Sequence, residues 1–151
     1  GLLMAGIHLT IDTRGLDQLQ ARIQGLAGMD TTTLMPRLGE YLQSSTQERF
    51  ATQTAPDGSA WDALAPRTLK RKKHNRGKVL TERGFLRRGI RYQVLDKSTV
   101  QVGTDSVYAA THQYGRDEAN IPARPFLGLS SADRREITAI IRDWASELGF
   151  K

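Results

Sequence analysis

The sequence predicts an α+β fold: a small antiparallel sheet, made of an N-terminal strand and a central hairpin, packed against two or three amphipathic helices with long loops. Three observations carry that reading. Ile90, Tyr92 and Val94 alternate with polar residues, and so do Val100 and Val102 after Asp96, Lys97 and Ser98. Two period-two runs around a short polar connection make a hairpin. Ile7, Leu9 and Ile11 share one face of a further alternating run, 6–13. Near the other end, Ile137, Ile140, Ile141, Trp144 and Leu148 recur at i, i+3, i+4, i+7 and i+11, the apolar stripe of a helix.

The 151 residues suit a single domain, and 38% apolar content predicts a modest core. There is no cysteine, which removes disulfides, thiolate chemistry and cysteine-ligated zinc and fits a reducing compartment. No run of 18 apolar residues exists to span a membrane. The opening Gly1-Leu2-Leu3-Met4 stretch is too short for a signal peptide and lacks a basic start, and Met4 reads as a natural start behind a three-residue remnant. The net charge of +6 is local: residues 67–91 hold eleven of the 22 Lys and Arg against one acid, Glu82, a balance of +10, and the rest carries eleven basic against 15 acidic groups, a balance of −4. A segment so charged is either a solvated surface or a contact for a polyanion or an acidic protein.

Along the chain, His8 falls on the polar face of the first strand and is expected to point to solvent. Leu16, Leu19, Ile23 and Leu26 predict an amphipathic helix over 16–27, stopped by Gly28. Residues 30–33, Asp-Thr-Thr-Thr, are capping types, and Pro36 fits only a first turn, so Thr32 or Thr33 caps a helix running to about Phe50. Its stripe of Leu34, Leu38, Tyr41, Leu42 and Ser45 reads as core. Pro56-Asp57-Gly58 is a turn, after which the Trp61 ring is expected to pin its loop to the domain. Residues 67–78 read as an exposed, mobile basic arm whose candidate partner or polyanion contacts are Arg67, Lys70, Arg71, Lys72, Lys73, Arg76 and Lys78. The arm lacks the aromatic platforms of a single-strand binder. Leu80, Phe85, Leu86 and Ile90 suit a short helix before the hairpin, and 107–114 suit another, stopped by Gly115. Two prolines make 121–126 extended, at a sheet edge or across a surface. Ser130 with Asp133 forms a capping-box pair for the last helix, whose stripe is expected to pack on the hairpin and which Gly149 ends.

Catalytic chemistry is thin. His8, His74 and His112 lack metal-ligand spacing, and no phosphate-binding loop or nucleophile elbow is present. A metal-dependent nuclease would have to gather Asp105, Asp117 and Glu118, and a dyad would need His112 beside Asp105; a solvated loop and a hydrogen-bonded structural histidine are the simpler readings. No metal or cofactor is expected.

Several segments nevertheless carry a family pattern. Phe50, then Pro56-Asp57-Gly58 and Trp61, then Leu80-Thr-Glu-Arg-Gly-Phe-Leu-Arg-Arg88 before a strand, resemble the virion morphogenesis family of tailed phages. So do Val102-Gly103-Thr104, Tyr108-Ala109-Ala110 leading into His112-Gln113-Tyr114-Gly115, and Ile121-Pro-Ala-Arg-Pro-Phe-Leu-Gly128. Arg83 and Gly89 depart from the pattern, standing where threonine and serine are expected. These are the tail-completion and head-to-tail joining proteins of Mu-like and P2-like phages. The resemblance implies a structural role for Trp61, Gly84, Leu86, Tyr108, His112, Gln113, Gly115, Pro122, Arg124, Pro125 and Phe126. It implies a protein without catalysis that acts in tail completion or neck joining by docking and oligomerising into a ring. The partners would be phage tail or neck proteins, and the place of action the virion, assembled in the bacterial cytoplasm. The alternative is a DNA-binding module using the basic 67–91 segment, which would have to be ordered on a fixed face.

Overall fold

The computed structural model describes residues 6–12, 30–63 and 85–149. The helix expected at 16–27, the arm at 67–78 and Gly84 lie outside them. In chain order the described elements are β1 (Ile7–Asp12), α1 (Leu34–Thr52), α2 (Phe85–Arg88), β2 (Arg91–Asp96), β3 (Thr99–Thr104), α3 (Ala109–Tyr114), a 3-10 turn at Asp117–Ala119, and α4 (Ser131–Glu147).

The sheet is antiparallel with the order β1-β3-β2. Hairpin closure pairs β3 with β2, with Tyr92 opposite Val102 and Val94 opposite Val100. The free side of β3 takes β1, with Leu9 opposite Val102 and Ile11 opposite Val100. That register collects every alternating apolar residue on one face, where Ile11, Val100 and Val102 are buried. Leu95 is the extra residue of a bulge between Val94 and Asp96.

α1 covers this apolar face, packing on β2 and β3. Leu34, Leu38 and Leu42 recur every four residues and are buried to 2% exposure or less. Gly39 lets the sheet come close, since a Cβ there would lie 2.2 Å from Cδ2 of Tyr92. Thr33 occupies the cap position, but its hydroxyl does not bond the helix. It accepts instead from Nε1 of Trp144 at 2.8 Å. The first turn is closed by the Thr31 carbonyl, which accepts from the N–H groups of Leu34 and Met35.

The last helix differs from expectation in where it packs. Among the described elements, the main neighbour of α4 is α1, not the hairpin sheet. The reason lies in the sheet: its apolar face is already taken by α1, and its other face presents His8, Thr10, Gln93 and Gln101, which offer no apolar surface to bury. Ile137, Ile141 and Trp144 are fully buried in α4, whereas Leu148 falls past the helix end and is 52% exposed. Ser130 and Asp133 do form a capping box.

Candidate functional site

Of the residues singled out by sequence, Trp61, Gln113, Gly115 and Arg124 converge on the extended segment 121–127, which runs as a strap over the end of α1. α3 and its stop position this strap. Gly115 adopts a φ of 75°, and a Cβ there would meet the Ile121 carbonyl at 2.6 Å, so the chain can fold back only at glycine. The fold-back is closed by Arg116 and Ile121, whose N–H and C=O groups bond each other.

Three side chains then hold the strap by its backbone, and a fourth, from the strap itself, reaches back to the Trp61 loop. Gln113 Oε1 accepts from the N–H groups of Phe126 and Leu127, each at 3.0 Å, while its Nε2 donates to the Leu127 carbonyl at 3.1 Å. Trp61 Nε1 donates to the Pro125 carbonyl at 2.7 Å. Arg124 points back, donating from Nε to the Asp62 carbonyl at 3.0 Å and from Nη2 to the Ala63 carbonyl at 3.2 Å. Arg49 Nη1 donates to the Phe126 carbonyl at 2.7 Å. Apolar packing adds to this: the Phe126 ring lies tilted with its centroid 5.4 Å from that of Phe50, which meets Trp61 edge-on at the same distance. Leu86 is buried in the same core, while Pro122 lies only partly covered.

Arg49 also reaches Asp133, and this network was not foreseen. Asp133 is 1% exposed and accepts from Tyr41 Oη at 2.7 Å, Ser45 Oγ at 2.5 Å, the Ser130 N–H at 3.0 Å and Arg49 Nη2. Burial opposes its ionisation, but the bonds from Ser45, Ser130 and Tyr41 and the Arg49 charge outweigh it and hold the carboxyl below the ordinary value. Tyr41, by burial and by its bond to that carboxylate, is pushed up to about 12. The signal in the sequence was the spacing of Tyr41, Ser45 and Arg49, a polar line at i, i+4, i+8 along a core helix. Beside this network an open groove of about 510 Å³ is lined by Ser44, Glu48, Thr52, Pro56 and Ala132 among others.

The histidines and acids are arranged otherwise than the catalytic alternatives needed. His112 and Asp105 do not pair; Asp105 faces His8, with Nε2 to Oδ1 at 3.3 Å, so His8 is not simply turned to solvent. His112 was expected to be a hydrogen-bonded structural residue, yet its Nδ1 is buried and has no partner among the described residues. Burial and the nearby Arg124 charge lower its pKa, favouring the neutral ring. Glu118 pairs with Arg116 at 3.1 Å. Among the described residues no three His, Asp or Glu side chains are grouped to hold a metal ion, and no helix is long and apolar enough to cross a membrane. Tyr108, in contrast to Trp61, Arg124 and Phe126, is 69% exposed. Of the basic positions proposed for partner contact, Arg67, Lys70, Arg71, Lys72, Lys73, Arg76 and Lys78 lie outside the described residues.

The strap and its clamps coincide with the segments that resembled phage proteins, and comparison with known proteins agrees. The chain is 31% identical over 147 residues to the putative capsid assembly protein G of Escherichia phage Mu, covering 90% of this chain and 92% of that one. It is 34% identical over 142 residues to the tail completion protein S of Escherichia phage P2, covering 83% and 91%. A third relative is the Mu-like prophage FluMu G protein 1 of Haemophilus influenzae, 31% identical over 148 residues with 94% and 97% covered. No solved structure matches. The profile of the phage virion morphogenesis family spans residues 11–146, and the chain belongs to that family.

Proposed function

We propose that this protein is a non-enzymatic structural part of the phage particle, acting in tail completion or head-to-tail joining by docking onto tail or neck proteins and oligomerising as a single domain. Its family gives it a role in phage virion assembly. The finer reading is supported chiefly by how the polar side chains around the strap are used. Gln113, Arg124, Trp61 and Arg49 all hold backbone carbonyls and amides rather than converge on an open cleft. A segment braced in this way presents a fixed surface, which suits docking at low entropic cost. The neighbours are inferred from a relative named for tail completion and another named for capsid assembly.

The test is deletion of the gene in an inducible lysogen that carries it, followed by electron microscopy of the lysate. Separate filled heads and unjoined or aberrant tails are expected, with joined particles restored by the gene supplied in trans. Normal infectious particles from the deletion would overturn the reading. In parallel, the purified protein should neither cut DNA nor hydrolyse nucleotides or cell wall with any divalent metal.

A further inference from the structure

Residues 105–118 form a knuckle between β3 and the strap, and its outer surface is unusual. Val107, Tyr108 and Tyr114 are 62%, 69% and 72% exposed, more than any other large apolar side chain of the described residues. Val107 and Tyr108 stand in the turn that leads into α3 and Tyr114 at its last position, while Ala109 at its start is buried. The backbone beneath is fixed. The Ser106 N–H donates to Thr104 Oγ1, the Tyr108 N–H to Ser106 Oγ, and Gln113 is locked to the strap. Exposed tyrosines on a fixed backbone are contact residues with little side-chain entropy to lose.

The charges around them narrow the occupant. Asp105 is 83% exposed at its side chain and Glu118 73%, with Asp117 exposed beside it. The one arginine of the knuckle, Arg116, is engaged by Glu118. Such a rim repels nucleic acid and anionic lipid and favours a cationic protein surface. Arginine fits best, because its guanidinium both stacks on tyrosine and pairs with carboxylate. The chain carries this complement itself. Arg87 and Arg88 on α2 and Arg91 at the start of β2 are exposed, no acid lies in α2, and the Arg91 guanidinium, which donates to the Arg88 and Ile90 carbonyls, lines a groove shared with Asp105.

We propose that the aromatic and acidic knuckle around Tyr108 and Tyr114 docks the arginine cluster Arg87, Arg88 and Arg91 of a second copy of this chain. The assignment rests on the assembly role proposed above and gives it a surface. Contact between two different patches permits closure into a ring or a symmetric pair.

The absence of cysteine allows a direct test on the full chain. Proteins carrying only Tyr114→Cys and only Arg87→Cys are mixed and treated with a short bismaleimide over a concentration series, after melting curves show both folded. The mixed 87–114 product should exceed both self-linked products. Adding Asp117→Lys and Glu118→Lys to the Tyr114→Cys chain should cut its yield roughly tenfold, since like charges then face each other. Self-linked products alone, or none at any concentration, overturn the proposal. A folded Tyr108→Asp/Tyr114→Asp variant is also tested for particle assembly. If it blocks assembly while no 87–114 product forms, the knuckle serves another cationic protein; the second-copy assignment then fails and the assembly role stands. If the gene deletion yields normal particles, the assembly role itself fails.

Discussion

At the scale of single residues, a few buried polar side chains tie distant elements together. Asp133 is the sharpest case. Read along the chain it is a helix cap, but in space it closes the gap between the two long helices, holding Tyr41, Ser45 and Arg49 of α1 from the first turn of α4. Removing its charge would leave Arg49, 6% exposed, as an unpaired cation. Asp133→Asn is therefore expected to destabilise by about 3–5 kcal/mol, whereas Glu147→Gln, which breaks the solvent-screened pair with Arg37, should leave stability nearly unchanged. Denaturant midpoints of the two variants check this contrast. The same carboxyl sets an acid limit. Its folded pKa lies below the unfolded value of 3.8, so its contribution is complete above that value and is lost as pH falls toward and through the folded pKa. Stability of the natural protein should drop with acid below about pH 4, and the Asn variant should show a shallower drop.

At the scale of elements, the sequence marked most of what the described residues contain, and the misses share a cause. The hairpin, the first strand, the long helix from Leu34 and the capped last helix follow from periodicity and turn residues, which are local signals. Partnership between elements is not local. The apolar stripe of α4 shows that it is buried but not against what, and the answer depended on the polar outer face of the sheet, which leaves α1 as the apolar neighbour. The clamp function of Gln113 and Arg124 was equally hidden: the motif flagged both, while their targets at Phe126, Leu127, Asp62 and Ala63 appear only once the strap is laid across α1. Burial makes the helix pairing testable. Trp144 is 1% exposed and bonded to Thr33, so Trp144→Ala should cost about 3–5 kcal/mol in thermal or chemical unfolding. Gln113→Leu should cost less, about 1–3 kcal/mol, through two strap N–H groups left without their acceptor. A Trp144→Ala change near zero would mean that α4 does not pack on α1.

At the scale of the whole molecule, the dominant feature is charge asymmetry: +10 over residues 67–91 beside −4 over the remainder. The sequence leads one to expect an exposed arm at 67–78, and an exposed ion pair contributes only about 0–1 kcal/mol, so no single lysine there should matter and any effect must come from the summed field. We expect that field to act between molecules, because nothing in the fold described here requires it: the core, the strap and the Asp133 network are assembled from residues elsewhere. Replacing Lys70, Arg71, Lys72 and Lys73 by serine lowers the net charge from +6 to +2. The melting temperature should then stay within the small range typical of surface substitutions. Assembly of particles should weaken, and raising salt should reproduce part of that loss in the unsubstituted protein, since exposed charges are screened over about 8–10 Å at ordinary ionic strength. The measurement is particle yield together with DNA retained in heads. Loss of joined particles with full heads indicates an acidic protein as the partner of the basic segment. Joined particles that leak DNA indicate the nucleic acid path through the neck. Unchanged yield and retention would show that the segment is a solvated surface and that docking relies on other parts of the chain.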